Sequence, residues 1–345
     1  MSRPAPVATR TDPDRSDPQP AVSVERLYKS FGEIVAVDGV SFRVNVGETF
    51  GFLGPNGAGK STTINILCTL SRPSSGHAEV AGHDVVSEDA EVRRNIGLVF
   101  QDTTLDDYLT AIENLRFHAE LYGVPKDEAE PRIRTVLEMV ELWERRKSIV
   151  STFSGGMKRR LEIARGLLHS PRVLFLDEPT VGLDPQTRSH IWEYIETLKE
   201  SERITIFLTT HYMDEAEHCD RIAIIDHGRI VAVDTPEALK ASVGQDRVEI
   251  RTSDDDRAIA ELKARFRLDA TISEGAVRLY TAGGDTFVPR LFAELTVPIQ
   301  AVSVVHPTLD DVFMSYTGRT IRDSEASNSE RLASNPFIRR RMGRR

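Results

Sequence analysis

Apolar positions along this chain switch between two periods. Glu48-Thr49-Phe50-Gly51-Phe52-Leu53 is a short, nearly continuous apolar run, Arg172-Val173-Leu174-Phe175-Leu176-Asp177 is another, and a third spans Ile204 to Leu208. Runs of this length without polar alternation predict strands buried on both faces, as in a parallel sheet covered by helices. Such runs alternate with helical ones from Val22 to about Lys240, which predicts an α/β unit over 21–243. Between 102 and 150 the strands disappear. Thr110-Ala111-Ile112-Glu113 has the form of a capping box, apolar residues follow at Leu115, Ala119 and Tyr122, and a second helical run carries Ile133, Val136, Leu137 and Val140. The pattern predicts a helical insertion over about 102–165. After Gly244 it changes to a strand at Val248–Arg251, a helix from Ala258 to Phe266, strands near 268–273 and 276–281, a helix from about Phe287 to Leu295, and a strand at Ile299–Val305. That order, β-α-β-β-α-β, is the split ferredoxin-like arrangement and predicts a small α+β domain over 244–320. Residues 1–20 and 321–345 are polar and without periodicity, so both ends are expected to be disordered.

Composition narrows the class. A chain of 345 residues is long enough for two cored domains. Its two cysteines, Cys68 and Cys219, lie far apart in apolar or helical settings, which argues for core packing in a reducing compartment and against a disulfide scaffold or zinc site. No apolar stretch reaches 18 residues and the N-terminus lacks a signal-peptide core, so the chain is expected neither to cross a membrane nor to be secreted. A net charge of −9 gives no general attraction to nucleic acid. The closing run Arg339-Arg340-Arg341-Met342-Gly343-Arg344-Arg345 reads as a solvated tail, with anionic lipid as the alternative contact.

The chemistry starts at Gly54-Pro55-Asn56-Gly57-Ala58-Gly59-Lys60-Ser61-Thr62, a bare loop between an expected strand and an expected helix. Without Cβ atoms in the way, its peptide N–H groups can turn inward around an anion, and the helix N-terminus that follows favours phosphate. Gly54, Gly59, Lys60 and Ser61 fit G-x-x-x-x-G-K-[ST] without departure. Lys60 would reach the β/γ-phosphates and the Ser61 hydroxyl would ligate Mg²⁺. Hydrolysis also needs a carboxylate on the metal side and a group that activates water. Asp177, at the carboxyl end of its strand, is placed to hold Mg²⁺, and Glu178 next to it to act as general base. Phe153-Ser154-Gly155-Gly156-Met157 sets a hydroxyl and two glycines at a second helix N-terminus. One nucleotide does not need two such ends from distant parts of one subunit. The economical reading is that this loop caps the γ-phosphate bound by a neighbouring subunit in a two-fold dimer.

At these residues the chain resembles the ATP-binding cassette family, the nucleotide-binding subunits of ABC transporters, in order from about Val22 to Lys240. Phe31 in Tyr28-Lys29-Ser30-Phe31-Gly32 is similar to the adenine-stacking aromatic, Gly54 to Ser61 to the Walker A loop, and Gln101 to the Q-loop glutamine. Ser154-Gly155-Gly156 resembles the signature, Asp177-Glu178 Walker B, Asp184 in Gly182-Leu183-Asp184 the D-loop, and His211 the switch histidine. Phe153 and Met157 depart from the leucine and glutamine common in the signature, while the residues that carry the phosphate contact are kept. The resemblance implies a P-loop α/β fold with ATP and Mg²⁺ as ligands. His211 would touch the γ-phosphate and hold Glu178, and Gln101 would touch Mg²⁺ or the water.

It also implies partners. In the family a groove beside the Q-loop receives a helix of a membrane-embedded subunit, so a separate permease and a peripheral place on the cytoplasmic face of the membrane are expected. His306-Pro307-Thr308-Leu309-Asp310-Asp311-Val312-Phe313 onward, with the hairpin Asp226 to Pro236, resembles the DrrA-type subfamily of antibiotic and multidrug exporters. The alternatives are export of lipid or another cargo, import, and a soluble cassette acting on ribosomes. The last typically has two cassettes or a long coiled coil, and neither pattern occurs here.

Overall fold

The computed structural model describes residues 19–273 and 275–318; the arginine-rich tail and nearly all of both ends expected to be disordered lie outside the described residues. The first unit opens with β1 (Val22–Phe31), β2 (Ile34–Val44), β3 (Thr49–Leu53), α1 (Lys60–Leu67), β4 (Ser75–Val80), β5 (His83–Asp84), α2 (Asp89–Asn95) and β6 (Ile96–Val99). Helices α3 (Ala111–Leu121), α4 (Lys126–Met139) and α5 (Gly155–Gly166) follow. It closes with β7 (Val173–Asp177), α6 (Pro185–Glu202), β8 (Thr205–Thr210), α7 (Met213–Ala216), β9 (Arg221–Asp226), β10 (Arg229–Asp234) and α8 (Pro236–Val243).

Six strands form the central sheet in the order β10-β9-β3-β8-β7-β6. All its neighbours pair in parallel except the β9/β10 hairpin, whose turn residues His227 and Gly228 both take positive φ to match the strand twist. The apolar runs at 49–53 and 173–177 are buried at every position, as strands covered on both faces must be. A second, antiparallel sheet, β2-β1-β4-β5, lies beside it; the sequence pattern did not separate this layer from the parallel one. Phe42 of that sheet stacks on Phe50 at 5.5 Å and meets Phe207 at 5.8 Å, so an aromatic cluster joins the two sheets. Because β3, β6, β7 and β8 run in one direction, the loops beginning at Gly54, Phe100, Glu178 and His211 all leave the same edge.

The helical insertion carries the expected capping box at Thr110, where Glu113 N–H donates to the hydroxyl and the Glu113 carboxylate accepts in return. Leu115, Ala119, Ile133, Val136, Leu137 and Val140 are buried. Tyr122 differs: it ends α3 half-exposed and stacks on His169 at 4.1 Å. Helix α5 lies flush against β6, since a Cβ on Gly97 would sit 2.3 Å from the Gly166 carbonyl oxygen.

The second unit comprises β11 (Asp246–Thr252), α9 (Asp255–Glu261), β12 (Ala270–Ser273), β13 (Ala276–Thr281), α10 (Gly284–Glu294), β14 (Ile299–Val305) and α11 (Leu309–Thr317). Its antiparallel sheet has the order β12-β13-β11-β14, the ferredoxin-like topology, over a core that includes Val248, Ile250, Leu279 and Leu291. Helix α10 starts three residues before the expected Phe287, because the Asp246 carboxylate accepts the Gly284 N–H at 2.6 Å and fixes the first turn earlier. The helix expected over 258–266 begins at Asp255, capped by Asp254, and its last turn, 262–266, widens into a π-turn. The terminal α11 does not join this core. Leu309, Val312 and Phe313 are buried in the first unit's core, where α11 packs on α8 and β10. Side chains of this size contribute roughly 1.5–3 kcal/mol each on full burial.

Candidate nucleotide site

The glycine loop joins β3 to α1 and its backbone closes on neighbours. Gly57 and Gly59 take φ of 81° and 109°, and a Cβ on Gly54 would lie 2.3 Å from the Ile225 carbonyl oxygen. Such conformations and approaches are open to glycine alone. No side chain caps α1, so its first N–H groups face the loop. Pro55 and Ala58 are buried, Asn56 and Gly57 exposed, and Thr62 is partly covered. Lys60, only 4% exposed, directs its ammonium into the cradle, donating to the carbonyls of Gly54 (2.8 Å) and Pro55 (3.3 Å) and pairing with Glu178 Oε1 at 3.1 Å.

The carboxylates stand at the end of β7. Asp177 Oδ1 accepts from Thr209 Oγ1 at 2.6 Å and from Ser61 Oγ at 3.3 Å, which brings a hard-oxygen pair, Ser61 and Asp177, to one place. Glu178 Oε2 accepts from Gln101 Nε2 at 3.4 Å, and His211 Nδ1 lies 3.3 Å from Glu178 Oε1, at ion-pair distance without hydrogen-bond alignment. Burial pushes the Glu178 carboxyl up, but His211 and the Lys60 ammonium outweigh it and hold it below the usual carboxylate range. Six residues singled out from the sequence, Lys60, Ser61, Gln101, Asp177, Glu178 and His211, thus meet at one sheet edge.

The others lie elsewhere. Ser154 caps α5, accepting the Met157 N–H at 3.3 Å, and Gly155 is exposed beside it while Gly156 is buried. Asp184 caps α6, and a small cavity lined by Ser154, Gly156 and Thr187 joins the two helix ends. Phe31 stands half-exposed at the tip of the β1/β2 hairpin with the Lys29 ammonium 4.8 Å above its ring. Phe31, Ser154, Gly155 and Asp184 are thus exposed to solvent.

Sequence reasoning passed over Thr209, which holds both Asp177 and the Glu178 N–H (3.0 Å). A hydroxyl inside a fully buried strand was the available sign, because such groups are there to be bonded.

Residues 37–181 match the family model "ABC transporter" and residues 235–317 match "ATP-binding protein DrrA1-3-like, C-terminal domain". The linearmycin resistance ATP-binding protein LnrL of Bacillus subtilis is 40% identical, over 88% of this chain and 100% of that protein. This chain belongs to the ABC transporter ATPase family. A second relative, the daunorubicin/doxorubicin resistance ATP-binding protein DrrA of Streptomyces peucetius, is 39% identical over 92% of this chain and 99% of its own. A solved dimeric ATP-binding cassette in a post-hydrolysis state, bound to ADP and Pi, superposes with a TM-score of 0.56 at 30% identity, covering 62% of this chain and 98% of that one. The chain is accordingly an ATP-binding, ATP-hydrolysing subunit with an α/β P-loop fold and a C-terminal α+β domain. Among the described residues no helix is long and apolar enough to cross a membrane.

A buried acid beside the ATPase site carries a consequence for stability. Glu215, 1% exposed, accepts from Thr210 Oγ1 at 2.6 Å and from Thr180 Oγ1, so it links the strand end before His211 to the turn after Glu178. Burial raises its carboxyl from an ordinary 4.5 to about 7, against the opposing pull of Thr210, Arg188 and His211 and with help from Asp214. The folded protein therefore keeps this proton over a range in which the unfolded chain has lost it. The stability it gives is full below pH 4.5 and is lost as pH rises to about 7, roughly 3 kcal/mol in all. Glu215→Gln removes the titration, so urea midpoints of the variant are expected to change less between pH 5 and pH 8 than those of the parent. Equal changes would show that Glu215 titrates normally.

Proposed function

We propose that this chain is the ATPase subunit of an exporter for an antibiotic or other hydrophobic compound, working as a homodimer on a separate membrane permease. The observation that carries the reading is that relatives named for antibiotic resistance align along nearly their whole length, accessory domain included. In the proposed site Gly54 to Thr62 wrap the phosphates and Lys60 neutralises the β/γ-oxygens. Phe31 stacks the adenine, and Ser154, Gly155, Gly156 and Asp184 act on the nucleotide held by the partner subunit. Ser61 and Asp177, with Gln101 at the rim, would hold Mg²⁺, whose chemistry is to neutralise charge on the phosphate oxygens. A depressed Glu178 is a weak base while Lys60 pairs with it. An entering γ-phosphate competes for Lys60, which raises the basicity of Glu178 toward the bound water while His211 keeps its orientation.

The accessory domain, taken as 244–320, is read as a contact with a partner or second subunit. The permease is proposed to dock on the helical insertion beside Gln101, where a groove of about 310 Å³ is lined by Phe100, Thr104, His118, Tyr122 and Arg165 and where Phe117 and Leu121 of α3 stand exposed. Docked in this way, the chain would lie peripherally at the cytoplasmic face of the membrane. Co-expression with the membrane protein it co-purifies with should lower daunorubicin accumulation in a sensitive bacterium, and expression of this chain alone should not. Drug efflux by the chain alone, or co-purification with ribosomes instead of a membrane protein, would overturn the proposal.

A further inference from the structure

Behind the catalytic carboxylates lies a buried guanidinium that the assigned roles do not use. Arg159 sits on α5, is 6% exposed, and spends its donors on backbone carbonyls. Its Nε donates to Pro179 O at 2.6 Å, Nη2 to Asp177 O at 3.2 Å, and Nη1 to Phe100 O. The carbonyls on both sides of Glu178, and the one just before Gln101, are thus held by one side chain. Glu162, one turn further along α5 and fully buried, pairs with Arg159 at 3.2 Å and accepts the Thr104 N–H at 2.7 Å. The segment containing Gln101 is therefore fastened to α5 at both ends.

The backbone at Glu178 needs holding. Its φ is +45°, in the left-handed region that a non-glycine residue adopts only when its surroundings impose it. Thr209 fixes the Glu178 N–H, and Arg159 fixes the carbonyls before and after it. Only a planar fork of donors reaches three carbonyls and a carboxylate together. Burying such a charge is costly, and an apolar side chain would fill the space at less cost if packing were the only demand.

We propose that Arg159 is a positioning residue that links each subunit's signature helix to that same subunit's Glu178 and Gln101. This inference rests on the proposed function, in which the N-terminus of α5 caps the partner's nucleotide while Glu178 serves its own. Helix α5 then carries news of one site to the other: when Ser154 engages the partner's γ-phosphate, Arg159 sets the base and the glutamine of its own site.

The test uses full-length Arg159→Met, in which Glu162 keeps its second buried partner Arg165 at 4.0 Å and its hold on the Thr104 N–H; Arg159→Lys is the companion variant. Arg159→Met is expected to lose at least tenfold in kcat with KM for ATP within about twofold, and to accumulate as an ATP-dependent dimer on gel filtration, because Ser154 still caps while Glu178 is misplaced. Lysine, lacking the fork, should not restore kcat. Parental kcat, rescue by lysine, or loss of kcat together with loss of the ATP-dependent dimer would overturn the inference, the last because it would mean that Arg159 only shapes the signature helix. Glu178→Gln measured alongside separates the two levels: if that variant still hydrolyses ATP, the assignment of the base is what failed.

Discussion

Glu178→Gln is expected to stop hydrolysis while leaving ATP bound, so that the protein accumulates as a dimer. The substitution keeps the shape of a side chain that touches Lys60, His211 and Gln101, and removes its capacity to take a proton. Losing a positioned general base costs about 10²- to 10⁴-fold in rate. Binding should survive, because the cradle from Gly54 to Ser61 is untouched and Lys60, released from its carboxylate partner, is freer to meet phosphate. With cleavage blocked, nothing converts the closed state to products, and gel filtration with ATP should show more dimer than for the parent. Intact turnover with an unchanged elution profile would remove Glu178 from this role.

Lys60→Ala is expected to fail one step earlier. The ammonium is buried and its contacts are the carbonyls of Gly54 and Pro55 and the Glu178 carboxylate, so no mobile solvent can substitute for it. Against the phosphates the ammonium would be one member of a desolvated charge pair, and truncating such a member costs about 2–5 kcal/mol, roughly 30-fold to several thousandfold in ATP affinity. Titration with a fluorescent ATP analogue should show this loss, and hydrolysis should vanish with it. The two variants therefore part at binding: one holds ATP without cleaving it, the other does not hold it. Near-parental turnover in Lys60→Ala would sink the assignment of the glycine loop.

The contrast between what could and could not be read in advance follows from the reach of each interaction. The loop at Gly54 and the Asp177-Glu178 pair are local patterns, in which neighbours in sequence are neighbours in the site, and their placement at strand ends follows from the apolar runs before them. Element order in the accessory unit was equally legible, because each strand and helix there is marked by its own period. Arg159 was not, since a charged residue in a polar helix looks solvated until the fold brings Phe100, Asp177 and Pro179 around it. Glu215 was hidden for the same reason: its partners Thr180 and Thr210 come from the turn after Glu178 and from the end of β8, which only the fold brings together. The antiparallel layer of β1, β2 and β4 escaped because strands of mixed burial carry no mark of which sheet they join.

Helix α11 makes the chain's two halves inseparable by a single cut. A truncation at Gly244 looks clean on paper, since the accessory sheet has its own core, yet it would strip Leu309, Val312 and Phe313 from the core of the ATPase unit and bare the apolar ground on α8 and β10 that they cover. The shortened protein would be stickier as well as shorter. A loss of activity in it would report the wound rather than the missing domain. An accessory unit is better removed from within, by replacing 246–305 with a flexible linker that leaves the last helix in place to close the surface it already fits.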